Sequence, residues 1–141
     1  MVYNLIPWHY FVTVLNGPTY LVGIDVAKQK IISGITNSNL PDYLCYDNKT
    51  NAFYGMEIFQ QERGCRLVRV NPYNGTVDIL SENFKDYEPS AGACHEGYYF
   101  TMIIEGLDKQ NIVTFDLSNH STIIANKPTQ EYLDSFAFVS I

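Results

Sequence analysis

Three segments of the chain can be laid over one another residue by residue, and nothing else in the sequence restricts the fold as much. Tyr20-Leu21-Val22-Gly23-Ile24-Asp25, Arg66-Leu67-Val68-Arg69-Val70-Asn71 and Asn111-Ile112-Val113-Thr114-Phe115-Asp116 align with spacings of 46 and 45 residues. Self-similarity at such a period marks a repeat architecture. Within each copy Val22 with Ile24, Val68 with Val70, and Val113 with Phe115 fall on one side of a strand. Each copy ends in Asp or Asn, a side chain able to accept a hydrogen bond from the backbone of a following turn.

Three further sets of strands follow in register. Ile31-Ile32-Ser33, Val77-Asp78-Ile79 and Thr122-Ile123-Ile124 begin six residues beyond Asp25, Asn71 and Asp116, and Asn74-Gly75 between two of these runs is a hairpin signal. Tyr10-Phe11-Val12-Thr13-Val14, Ala52-Phe53-Tyr54-Gly55-Met56 and Tyr98-Tyr99-Phe100-Thr101-Met102 share an order of aromatic, bulky, small and aliphatic residues. Leu44-Cys45-Tyr46, Ala93-Cys94-His95 and Phe136-Ala137-Phe138 share a large-small-aromatic order. Four strand types in three copies give twelve strands, and the 14% aromatic and 17% charged composition suits packed β-structure rather than disorder or coiled coil.

The run Leu67-Val68-Arg69-Val70-Asn71-Pro72-Tyr73-Asn74-Gly75-Thr76-Val77, with Leu44-Cys45-Tyr46-Asp47 and Phe53-Tyr54-Gly55-Met56 before it, resembles the blades of the WD40/YVTN-like β-propeller superfamily. The Gly-His and Trp-Asp pairs of true WD40 repeats are missing, and the single tryptophan, Trp8, lies outside the aligned columns. The resemblance implies an all-β chain, a single unit over 1–141 made of three four-stranded antiparallel sheets. Blades fall at about 43–80, about 92–125, and 135–140 joined with 9–34. The Leu44, Ala93 and Phe136 strands would be innermost and the Ile31, Val77 and Thr122 strands outermost. Propellers have about 4 to 8 blades, so three cannot close a ring. The expectation is half of a six-bladed propeller, completed by self-association into a two-fold dimer in which each C-terminal strand closes a blade of its partner. A fragment of a longer propeller is the alternative.

A formal charge of -6 and a pI near 4.8 argue against nucleic acid as a partner. No apolar run has membrane-spanning length, so no membrane partner is expected. The N-terminal stretch carries Pro7 and His9 without a basic region and reads poorly as a signal peptide. Cys45, Cys65 and Cys94 are odd in number and lack CxxC spacing, which favours reduced thiols and a cytoplasmic location without excluding secretion. Three sequons point the other way, Asn48-Lys49-Thr50, Asn74-Gly75-Thr76 and Asn119-His120-Ser121, all where turns are expected. In a chain rich in Asn, Ser and Thr such triplets also arise by chance.

No nucleophile, phosphate-loop or zinc-protease motif occurs, and no cofactor, metal site or catalytic residue is assigned. His9, His95 and His120 fall in different columns, so they do not build a repeated ligand set. Cys45 and Cys94 share a column with Ala137, a small position that lets blades pack closely. Asp42 and Asp134 share a column before the inner strand, at one mouth of the expected channel. The loops over 36–41, 81–90 and 126–133 differ in sequence and carry Tyr87 and Glu88, and divergent loops on a repeated frame are where specificity belongs. Asp42, Asp134, Tyr87, Glu88, His95 and Trp8 are therefore the candidate ligand-binding residues. The function expected is a non-enzymatic module that recognises a protein, peptide or glycan through its loop face. A hydrolase or lyase using Asp42, Asp134 and His95 at the channel is the alternative.

Overall fold

The computed structural model describes residues 2–6, 9–15, 19–36, 40–59, 61, 63–106, 109–119 and 122–130. Among them every regular element is a strand, and no helix is long and apolar enough to cross a membrane. The strands form three antiparallel sheets, each following the order of the chain. The N-terminal sheet contains β1 (Val2–Ile6), β2 (His9–Leu15), β3 (Thr19–Asp25) and β4 (Lys30–Thr36). The middle sheet contains β5 (Asp42–Asp47), β6 (Ala52–Phe59), β7 (Gly64–Val70) and β8 (Val77–Ile79), with β9 (Phe84–Lys85) pairing β7 beyond β8. The C-terminal sheet contains β10 (Glu88–His95), β11 (Tyr98–Glu105), β12 (Lys109–Asp116) and β13 (Thr122–Thr129).

Short side chains at strand ends fix the hairpins. Asp25 accepts from the Lys28 N–H at 2.9 Å, Asp47 from the Thr50 N–H at 2.8 Å, Asn71 from the Tyr73 N–H at 2.9 Å and Asp116 from the Ser118 N–H at 2.9 Å. Each bond satisfies a turn donor that would otherwise compete for strand pairing. At Gly75, φ is +74° and the N–H donates to the Asn71 carbonyl, a conformation in which a Cβ would be strained.

Alternation along β5, β6 and β7 buries both faces of the middle sheet. Leu44, Phe53 and Val70 pack with Leu21 and Ile35 of the N-terminal sheet. Cys45, Tyr54, Met56, Cys65 and Leu67 pack instead with Tyr99, Ile103, Val113 and Phe115 of the C-terminal sheet. A fully buried side chain of this size stabilises by about 1.5 to 3 kcal/mol, and a one-residue register slip would reverse every choice of face.

Two strands differ from the sequence expectation. One is β9, which lies within the expected loop over 81–90 and gives the middle sheet a fifth strand where four were expected. The other is β1. The edge of β2 expected to receive residues 135–140 is occupied by β1, with Tyr3 opposite Phe11 and Val2 opposite Val12. The chain folds back on itself within a few residues, so this pairing closes a far shorter loop than one made by the opposite terminus. Residues 135–140 lie outside the described residues.

Candidate binding cleft

The middle and C-terminal sheets meet along β5 and β10, whose contacts rise together along the chain. Tyr43 meets Gly92, Cys45 is disulfide-bonded to Cys94 with Cα atoms 5.7 Å apart, and the Gly97 N–H donates to Asp47 Oδ1 at 2.8 Å. The two strands therefore run side by side in the same direction. The disulfide corrects the expectation of reduced thiols. In strands aligned this way equivalent positions face one another, so the shared column of Cys45 and Cys94 is what brings the two sulfurs together. Cys65 is the free thiol, buried, with its pKa pushed up to about 12 by desolvation and then by the charge of Glu88.

Both strands bulge where they enter this interface. Between Asp42 and Cys45, β5 takes three steps against the two from Met56 to Tyr54, and between Pro89 and Ala91, β10 takes two steps against one from Ile103 to Met102. Bulges bend a strand and redirect its side chains. They also disrupt the ladder, and buried hydroxyls on β11 compensate: Tyr99 donates to the Tyr43 carbonyl at 3.1 Å and Thr101 to the Ala91 carbonyl at 2.8 Å. Gly92 is required for this arrangement, because a Cβ there would strike the Tyr99 hydroxyl and lie 2.8 Å from Tyr43 Cβ.

The bulged ends open a cleft of about 310 Å³ lined chiefly by Tyr43, Arg63, Asp86, Glu88, Ser90 and Ile104. Three of these hold left-handed backbone, Tyr43 at φ 54°, Arg63 at φ 42° and Asp86 at φ 66°. Such conformations cost on the order of 1 to 3 kcal/mol each. Pairing of β9 with β7 and an Asp86 N–H to Arg63 carbonyl bond of 2.9 Å hold two of them in place. Among the described residues the Arg63, Asp86 and Glu88 side chains take no hydrogen bond or ion pair. Nearby, desolvation pushes the Asp42 carboxyl above its usual range. Two carboxylates, one guanidinium and a tyrosine ring 37% exposed suit a polar ligand carrying a cationic group.

Of the residues singled out from the sequence, Asp42, Tyr87 and Glu88 come together at this end of the sheets. Tyr87 is half-buried rather than exposed; desolvation and then the neighbouring Glu105 raise its phenol. His95 lies at the far end of β10, on the order of 10 Å or more from Asp42. The hydrolase or lyase arrangement needs those two side chains together, and the strands carry them to opposite ends. Asp134 and Trp8 lie outside the described residues. Among the described residues no three His, Cys, Asp or Glu side chains converge as metal ligands.

A larger cleft, about 380 Å³, lies at the other end of the middle sheet, lined by residues that include Asn51, Phe53, Arg69, Asn71, Tyr73 and Asp78. There the charges neutralise each other, with Arg69 Nη2 2.8 Å from Asp78 Oδ2, and Asn71 caps its own turn. Arg63, Asp86 and Tyr43 were not singled out from the sequence. The available signal was Pro41 and Pro89, since proline within a sheet is confined to edges, first positions and bulges. No family model matches the chain, and no curated protein does.

Proposed function

We propose that the chain is a non-enzymatic binding module of the β-propeller class, and that the cleft between β5 and β10 takes a short peptide segment bearing a basic side chain. The observation that carries the reading is that the charged side chains of Asp86, Glu88 and Arg63 have no partner among the described residues, with Asp86 and Arg63 on strained, well-supported backbone. Strain held at a cleft by surrounding structure is a mark of a working surface. The propeller part draws support from the way equivalent columns behave. Phe53 and Val70 face the preceding sheet in one interface as Tyr99 and Phe115 do in the other, while Leu21 and Leu67 face the following one.

Three blades do not close a ring, so a second copy of the chain completing a six-bladed ring belongs to the same proposal. Because β1 already occupies the edge of β2, that ring needs no exchange of C-terminal strands there. A light-scattering mass near one chain at micromolar concentration would overturn the ring but not the cleft. For the cleft, a lysine- and arginine-containing peptide library and a glycan array are screened in parallel. Peptide hits weakened about tenfold by Glu88→Gln, equivalent to about 1.4 kcal/mol, and unaffected by Arg69→Ala support the assignment. Hits confined to glycans, or indifferent to Glu88→Gln, overturn it.

A further inference from the structure

The three sequons converge on one end of the molecule. Asn48 lies in the turn from β5 to β6, Asn74 in the turn from β7 to β8, and Asn119 in the turn that follows β12. In an antiparallel sheet taken in chain order, the first and third turns fall at the same end. The two sheets also align, because the Leu117 N–H donates to the Gly97 carbonyl at 2.9 Å and the Gly97 N–H reaches Asp47 beside Asn48. All three asparagines are exposed. Thr50 and Thr76, the hydroxyl residues of two of the sequons, sit within the same turns.

A second observation is independent of these positions: the Cys45–Cys94 disulfide joins the two sheets. Structural disulfides persist in oxidising compartments and are rare in the cytosol. In eukaryotes that compartment is also where N-glycosylation takes place.

We infer that Asn48, Asn74 and Asn119 are N-glycosylation sites and that the chain matures in an oxidising, glycosylating compartment. The donor class is an oligosaccharide carried on a polyisoprenyl diphosphate. The side-chain amide nitrogen bonds to the anomeric carbon, the bond from that carbon to the diphosphate oxygen breaks, the amide loses one proton, and the lipid diphosphate leaves with the bonding pair. Glycans at Asn48 and Asn74 flank the cleft by Asn51 and Tyr73, whose lining includes Thr50 and Thr76 of the same sequons, and leave the opposite cleft at Glu88 open. The placement follows from the sheets and sequons alone and stands whether or not the chain is a propeller.

The test uses the full chain expressed behind a cleavable secretory leader in glycosylating cells, and the chain isolated from the cells that naturally make it. Enzymatic deglycosylation in heavy-oxygen water followed by peptide mass spectrometry should place labelled aspartate at 48, 74 and 119. Each Asn→Gln variant should remove one step of the electrophoretic shift, and Cys45 and Cys94 should be linked in both preparations. Unmodified asparagine at all three positions in the secreted, folded protein overturns the inference. So does a natural chain in which unmodified asparagines accompany free Cys45 and Cys94 thiols.

Discussion

Reducing the bond between Cys45 and Cys94 tests how the middle and C-terminal sheets are held together. The cross-link closes a loop with a sequence separation of 49 residues, which contains most of the middle sheet. In the chain-entropy treatment a loop of that size restricts the unfolded ensemble by about 4 kcal/mol. That is a large part of the roughly 5 to 15 kcal/mol that holds a typical domain folded. With a urea slope of about 2 kcal/mol/M, reductant should lower the unfolding midpoint by about 2 M. The Cys45→Ala/Cys94→Ala variant should unfold near the reduced wild type and ignore reductant. Thiol titration in denaturant should find one reactive group in the oxidised chain, Cys65, because the other two cysteines are bonded to each other. In the folded protein Cys65 should resist thiol reagents, since its pKa of about 12 leaves almost no thiolate at neutral pH. A midpoint unchanged by reductant, or three reactive thiols in the untreated protein, would refute the tie.

The remaining tests address individual groups around the same interface. Asp47→Ala removes the acceptor for the buried Gly97 N–H and for two donors on Thr50, and should cost about 3 kcal/mol in urea unfolding; a loss below about 1 kcal/mol would contradict its role as a link between sheets. Gly92→Ala should destabilise by about 1 to 3 kcal/mol through overpacking against Tyr43 and Tyr99, and an unchanged melting temperature would mean the strands separate freely there. Thr101→Val leaves the Ala91 carbonyl without its hydroxyl donor and should lower both stability, by about 1 to 2 kcal/mol, and peptide binding; intact binding would uncouple the β10 bulge from the cleft. Asp42 has a raised pKa, so its contribution to stability is present below the ordinary value of 3.8 and is lost as pH rises through the raised value. Asp42→Asn should therefore be the more stable protein at neutral pH and lose that advantage in acid, whereas a carboxyl carbon titrating at the ordinary value would remove the effect and one titrating below it would reverse the sign.

Much of the fold was legible because the sequence states it several times over. Asp25, Asn71 and Asp116 cap their turns as their positions at strand ends suggested, and the alternation of apolar residues set the faces of β6 and β7. What was not legible depends on relations between sheets. The column shared by Cys45 and Cys94 reads as one position in two units until the strands are known to lie side by side and in the same direction. The strand at Val2–Ile6 lacks the large-small-aromatic order that singled out residues 136–138, so the edge of β2 went to the wrong terminus. Tyr43 at positive φ contradicts the local preference of a bulky residue, and tertiary contacts, the Tyr99 hydroxyl of β11 and the close approach of Gly92 among them, help to hold it there.

The two ends of the molecule are built on different principles. At the turn end side chains satisfy nearby backbone, as Asp47 does for Thr50, and left-handed residues such as Asn51 and Glu96 sit in hairpin turns where such backbone belongs. At the loop end the positive-φ residues converge on a cleft, and the carbonyls of Tyr43 and Ala91 are satisfied from the buried face of β11. Stability gained at the first end can support strain at the second, because Asp47, the disulfide and the Tyr99 contact act along the same pair of strands. The proposed ligand, on meeting Glu88 and Asp86, would find a backbone whose shape was set during folding. Little ordering cost is then left to subtract from its affinity.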